Sequence, residues 1–447
     1  MASIRSVLRP LLPLVLSLSL LTGCDTINDI FGVDDEPPLP GTRIAVIQGN
    51  TGLAPDPEVA TRPIVLPEPY VNGGWPQAGG SPAHAMYHLA LSDSPQRAWS
   101  VGIGEGNEDD AAILAQPIIV GDTIFTMDSR ANVSARRQGD GGAFWEVDLE
   151  PEDDDEGFFG GGLGFDEGTL YVTTGFGKVF ALDASSGAIK WERPLPAPFR
   201  AAPTISGGRV FVVTLDNQSF ALASADGRVL WDHTGIQEPA SLLGNASPAV
   251  SGSVVIVPYT SGEVYALQVE NGRVIWSDSL AAVRRTDPLS DIAQVRGLPV
   301  IDRGLVFIVS HAGRTAAIDM RRGNRIWERD LGGTETPWAA GEFIYLVTND
   351  AELVCLTREE GAVRWVTPLP RYQDPEDRED LITWYGPLLA SDRLIVAGSH
   401  GEAYAVSPYD GKIIGVIDLP SGAAITPVLA NNTLYFVSVD ADLEALR

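Results

Sequence analysis

The sequence predicts an all-β chain: an eight-bladed β-propeller of four-stranded antiparallel blades, the last blade closed by a strand from the N-terminal side. Three observations predict it. A tryptophan returns at intervals of 46, 46, 40, 45, 51 and 38 residues, a glycine stands four residues ahead of most of these tryptophans, and short apolar runs broken by turn-forming dipeptides fill each interval.

The tryptophans of this phase are Trp99, Trp145, Trp191, Trp231, Trp276, Trp327 and Trp365, seven of the ten in the chain. Gly141, Gly187, Gly227, Gly272, Gly323 and Gly361 precede six of them. A further copy, Gly411 to Gly415, keeps the glycine and replaces the tryptophan. Periods of this length belong to propellers or to helical arrays, so the content of each unit decides. Gly208 to Val213, Ser219 to Leu222 and Ala225 to Trp231 are valine-, phenylalanine- and leucine-rich runs separated by Asp-Asn and Asp-Gly, which is the grammar of strands and hairpins. The same pattern returns in 169–191, 253–276, 304–327 and 342–365, with no sustained helical period, and this excludes a helical solenoid.

Eight units follow, at 116–145, 161–191, 201–231, 246–276, 297–327, 338–365, 385–415 and from Ile425 to the end. The last stops one strand short after Leu443 to Leu446. Gln96 to Val101 has the tryptophan phase but no strands ahead of it, so it is expected to complete that blade and close the ring. One such sheet has two apolar faces, and stacking blades in a circle buries them against one another. The tryptophan suits the wedge between blades, and the glycine supplies the turn that feeds the outer strand.

The first residues read differently. Arg5 and Arg9 precede an apolar run from Leu11 to Leu21, which is shorter than the roughly 20 residues a spanning helix requires. The run ends in Leu21-Thr22-Gly23-Cys24, which resembles the lipobox of bacterial lipoproteins and implies a signal peptide over 1–23 and lipidation of Cys24. Lipid chains contribute about 0.8 kcal/mol per buried methylene, so a modified Cys24 anchors a chain without a transmembrane segment. Residues 24–70 are rich in proline, from Pro37, Pro38 and Pro40 to Pro69, and are expected to form a spacer, with 71–447 as the propeller.

Composition narrows the function. Thirty-one basic against 59 acidic residues leave a net charge of −28, which disfavours nucleic acid and anionic headgroups as partners. Cys355 is the second of two cysteines; it sits in a strand-like run and reads as a small core residue. His84 and His88 have the spacing of two zinc ligands but lack the glutamate of the HExxH motif, so turn or packing roles fit them better. The acidic run 152–156 reads as a solvated loop before a glycine-rich stretch. No catalytic residue, cofactor or metal site is expected.

The stretch Phe180-Ala181-Leu182-Asp183-Ala184-Ser185-Ser186-Gly187-Ala188-Ile189-Lys190-Trp191 resembles the repeat of quinoprotein-type propellers, and the likeness extends from Trp75 to Arg447. With the lipobox, the eight units and the opening Gly74-Trp75-Pro76-Gln77-Ala78-Gly79-Gly80, the chain resembles the BamB family of lipoproteins that assist outer-membrane barrel assembly. That resemblance implies a noncatalytic scaffold in the periplasm at the outer membrane. Its implied partners are BamA, the other barrel-assembly subunits and unfolded outer-membrane proteins. Two loops carry the implied contact: Leu242 and Leu243 in 241–248, and Asp287, Leu289, Ser290 and Asp291 in a family-like Asp-x-Leu-Ser-Asp stretch. Leu243 and Ala293 depart from the family, which places arginine and an acid there. Asp25 resembles the inner-membrane retention signal of enteric bacteria, against the outer-membrane expectation.

Two alternatives share the repeat. A dehydrogenase using pyrroloquinoline quinone would carry a calcium-bound cofactor at the axis, an aspartate base and, in many cases, adjacent cysteines. The sequence has no adjacent cysteines, and Asp216 and Asp350 read as turn or rim residues. A propeller scaffold of another envelope complex differs only in its loops.

Overall fold

The computed structural model describes residues 52–151, 160–281 and 293–447; Cys24, the run 152–156 and the residues Asp287, Leu289, Ser290 and Asp291 lie outside them. From Leu53 onward the described residues hold strands and no helix. Seven sheets have four strands, and an eighth gains a fifth short strand, Gly74–Trp75. All are antiparallel, and all but one of the four-stranded sheets run through consecutive strands. Blades 1 to 7 occupy 118–148, 161–194, 204–234, 249–279, 300–329, 338–368 and 384–418, within a few residues of the expected units.

Blade 8 is built from Val428–Ala430, Thr433–Val437 and Asp442–Leu446, and its outer strand is Arg97–Gly102. Trp99 pairs with Ala445 and Val101 with Leu443, so the expected closure by the N-terminal strand is what the chain adopts.

One row of side chains recurs across every blade. Phe125, Ala135 and Trp145 face one another on the second, third and outer strands of blade 1. Tyr171, Ala181 and Trp191 do so in blade 2, and Tyr345, Cys355 and Trp365 in blade 6. Cys355 therefore stands where the other blades place alanine, and it is fully buried. Each outer strand bulges at the residue before the tryptophan, such as Lys190 or Ala98. A bulge adds local twist and re-aims the next side chain, here the indole, toward the neighbouring blade.

That neighbour receives it at the glycine. A Cβ on Gly187 would lie 2.7 Å from the ring of Trp145, one on Gly227 2.6 Å from Trp191, and one on Gly272 2.8 Å from Trp231. The indole nitrogens of Trp145, Trp191 and Trp231 donate to Ala184 O, Ser224 O and Val269 O at 2.9 to 3.0 Å, in each case three residues before the glycine. An indole withdraws roughly 150–250 Å² from water, an upper bound of about 4–6 kcal/mol, so packing outweighs the single hydrogen bond. The exception explains itself. In blade 8 two separate segments meet at Arg447 and Gln96 where other blades have the glycine turn, and the residue in blade 7 that takes the place of the covering tryptophan is Gly415.

The segment from Asn72 to Leu89 encircles the axis and touches the inner strand of every blade. Asn431 N donates to Asn72 O in blade 8, Gly74 and Trp75 pair with Val120 and Ile119 in blade 1, and Phe165 N in blade 2 donates to Pro76 O. Ile205 N in blade 3 donates to Gln77 Oε1 at 2.9 Å. Val250 N and Ile301 N in blades 4 and 5 donate to Pro82 O and Ala83 O. The Trp338 indole in blade 6 donates to Tyr87 O, and Leu89 exchanges hydrogen bonds with Leu389 and Ser391 in blade 7. Inner strands otherwise leave their edges unpaired, so this strap satisfies backbone groups at one end of the channel. It buries Trp75, His84 and His88. His84 Nδ1 donates to Pro299 O; His88 Nδ1 donates to Pro67 O while its Nε2 accepts from Asp392 N. The packing reading of these histidines matches this geometry.

The described part of the proline-rich stretch lies along blade 6. Asp56 N donates to Val363 O, the Arg364 guanidinium donates to Ala60 O and Arg62 O, and Val59 is buried.

Candidate partner-binding face

The end of the ring opposite the strap carries the loops that enter each inner strand. One of them, 235–248, joins the outer strand Val229–Thr234 to the inner strand Ala249–Ser251. Its entry is tight: a Cβ on Gly235 would lie 2.5 Å from the Tyr259 ring, and Ile236 N is held by Glu263 Oε2 at 2.7 Å. In its middle, three successive carbonyls are each bound by a side chain from elsewhere. Leu242 O accepts from Arg200 Nη1 at 3.3 Å, Leu243 O from Arg296 Nε at 2.9 Å, and Gly244 O from Gln294 Nε2 at 2.6 Å. Gln294 also accepts from Leu242 N at 2.6 Å, so its amide clamps both sides of Leu243. Gly244 has φ of 86°, a conformation that favours glycine.

This backbone is fixed while its apolar side chains are offered to solvent, with Leu243 40% and Ile236 60% exposed. Of the sequence-predicted contact residues, Leu242 is half-buried and Leu243 exposed on this loop. Asp287, Leu289, Ser290 and Asp291 lie outside the described residues. The residues that follow them, Ala293 to Arg296, run beside the 241–244 loop and supply two of its three clamps. Sequence reasoning missed Arg200, Gln294, Arg296 and Glu335. Their signal is faint: a long polar side chain just ahead of an inner strand, in stretches otherwise made of small and apolar residues.

Behind the loop lies an axial cavity of about 100 Å³, walled by residues of several blades and ended by Ala78 of the strap. Arg296 Nη1 meets Glu335 Oε1 at 2.8 Å, and Glu335 Oε2 accepts from Thr426 Oγ1 at 2.7 Å and Gly386 N at 3.3 Å. Burial, with the Glu335 charge adding to it, pushes the Tyr385 hydroxyl up to about 12. Burial lowers Arg200 from its ordinary value. Asp216 accepts from Thr214 Oγ1 and the Gln218 amide within a turn, and Asp350 pairs with Arg371 at 3.3 Å, as rim residues would.

A family model described as "Outer membrane protein assembly factor BamB" matches residues 129–367. Among relatives, the outer membrane protein assembly factor BamB of Moranella endobia is 23% identical over 361 residues, covering 79% of this chain and 90% of the relative. The crystal structure of BamB from Moraxella catarrhalis superposes with a TM-score of 0.67 at 21% identity, over 79% of this chain and 99% of that one. The quinohemoprotein alcohol dehydrogenase of Pseudomonas putida shares the fold at a TM-score of 0.62 and 12% identity, over 84% of this chain and 80% of that one. Since the matched repeats span more than half of the 447 residues, the chain belongs to the family of outer membrane protein assembly factor BamB.

Proposed function

We propose that this protein is a noncatalytic scaffold of outer-membrane barrel assembly that docks BamA through Leu242 and Leu243, with Asp287, Leu289, Ser290 and Asp291 as the second half of the contact. The signal peptide is 1–23, the lipid on Cys24 holds the protein to the outer membrane facing the periplasm, and 24–70 leads to the propeller at 71–447. The observation that carries this reading is the clamped loop: Arg200, Gln294 and Arg296 hold three successive carbonyls while Leu243 stays exposed. A loop already ordered loses little entropy on docking, which is how a small apolar anchor becomes effective.

The residues at the axis do not fit the quinone and calcium of the dehydrogenases that share this fold. The cavity is about 100 Å³, and Glu335, the one carboxylate on its described wall, is already bound by Arg296, Thr426 and Gly386.

Capture of BamA from detergent-solubilised envelopes tests the reading. Leu243→Glu and Asp291→Arg each reduce capture by about fivefold to thirtyfold with the fold intact, as expected for anchors worth about 1–2 kcal/mol. Capture equal to that of the parent by both variants retires the docking surface. Cys24→Ser abolishes palmitate labelling; undiminished labelling rejects the anchor.

A further inference from the structure

The axial cavity holds hydrogen-bond donors that the ring and the docking loop use only in part. Two guanidinium groups reach its wall, and Arg296 is neutralised by Glu335. Arg200 is not. Among the described residues no carboxylate stands within ion-pair distance of Arg200, and its Nη1 alone donates, to Ser241 Oγ and Leu242 O. Asn245, whose N donates to Arg200 O at 2.8 Å, is 8% exposed, and its Nδ2 is a buried donor with no acceptor. The Tyr385 hydroxyl lies on the same wall. A buried donor without an acceptor costs about 1–3 kcal/mol, so Asn245 Nδ2 is expensive unless something in the cavity accepts from it.

We propose that this cavity binds a small monocarboxylate, with the Arg200 guanidinium as its counter-ion and Asn245 and Tyr385 as further donors. Charge selects a monoanion, because the wall carries two guanidinium groups against the single carboxylate of Glu335. Size selects a short acid, since the cavity is about 100 Å³. Geometry selects a carboxylate, since the planar guanidinium fork matches its two oxygens. The rest of the surface, with a net charge of −28, repels anions, so saturable uptake reports this one site.

Isothermal titration of the full chain in detergent with sodium acetate and sodium pyruvate, at constant ionic strength, tests it. The expected result is one saturable site in the millimolar range, no heat from neutral acetamide, roughly tenfold weaker binding in Arg200→Gln and an intermediate loss in Arg200→Lys, which keeps the charge and removes the fork. Arg200 also holds the docking loop, so Tyr385→Phe serves as an independent variant, removing one hydroxyl and weakening acetate by about threefold to tenfold. Trialanine with a free carboxylate, beside its C-terminal amide, separates two sources of the same group. Binding of acetate assigns the site to a free acid, and binding of the free tripeptide without acetate assigns it to a chain end. No saturable binding of acetate, pyruvate or free trialanine overturns the proposal, as does binding undiminished in both Arg200→Gln and Tyr385→Phe.

Discussion

The indole of Trp327 in blade 5 lies over Gly361 of blade 6, so close that a Cβ on the glycine would sit 2.6 Å from the ring, and its nitrogen donates to Arg358 O at 2.7 Å. Gly361 also has φ of 63°, so a side chain there meets both backbone strain and a filled wedge. Gly361→Ala is expected to destabilise by about 2–5 kcal/mol, strain and overpacking together. Gly121, with φ of 57° and nothing within 4 Å, isolates the strain; Gly121→Ala is expected to cost about 1–2 kcal/mol. Urea unfolding midpoints of the two variants measure the difference, and equal shifts would show that the indole does not press on the turn.

The strap predicts a separate loss. Gln77 Oε1 accepts from Ile205 N inside the ring, and Gln77→Leu leaves that amide buried without an acceptor. A destabilisation of about 1–3 kcal/mol is expected. Hydrogen exchange should quicken at Ile205 in blade 3 more than at Val428 in blade 8.

Gln294 distinguishes loop positioning from loop chemistry. It is fully buried, so a partner cannot touch it, yet it holds Leu242 N and Gly244 O. Gln294→Leu keeps both leucines and removes their clamp. Capture of BamA is expected to fall about threefold to tenfold through the entropy of an unordered loop. Parental affinity in this variant would mean that the loop binds without preorganisation.

His84 makes the strap sensitive to acid. Burial lowers its pKa to about 4, against the smaller opposing effect of its bond to Pro299 O. The folded ring is neutral, while the unfolded chain takes up a proton below about 6.5. Its share of stability is therefore complete above pH 6.5 and is lost as pH falls toward 4, by up to about 3 kcal/mol. His84→Gln, which keeps a donor for Pro299 O, should flatten the stability profile between pH 6.5 and 5. An unchanged slope there would reject this assignment.

Cys355 should behave as an alanine. Burial raises its thiol well above the ordinary range, and alanine fills the equivalent place in the other seven blades. In a Cys24→Ser background, thiol reagents are expected to react only on unfolding, and Cys355→Ala to cost roughly 1 kcal/mol or less. Rapid labelling of the folded protein would show a route to the thiol.

Much of the architecture was readable in the repeat, because its spacing is set by local chemistry. A glycine with positive φ, a turn and a strand lie within a few residues of one another, so Gly187 and Trp191 announce a blade without any distant contact. The closure by Trp99 was readable for the same reason: a strand in the tryptophan phase lacked its blade, and a blade lacked its strand. The row of Phe125, Ala135 and Trp145 was there too, at steps of ten residues, but its meaning depends on cross-strand register.

Other features had no local signature. Asn72 to Leu89 has no strand periodicity, and its course follows from eight unpaired strand edges that exist once the ring has closed. Arg200, Gln294 and Arg296 are far apart in sequence from Leu242, and they become its clamp because neighbouring blades deliver their loops to one end of the axis. Repeat spacing is a short-range property written into consecutive residues. The strap and the clamped loop depend on distances between blades, which exist only when all eight are in place.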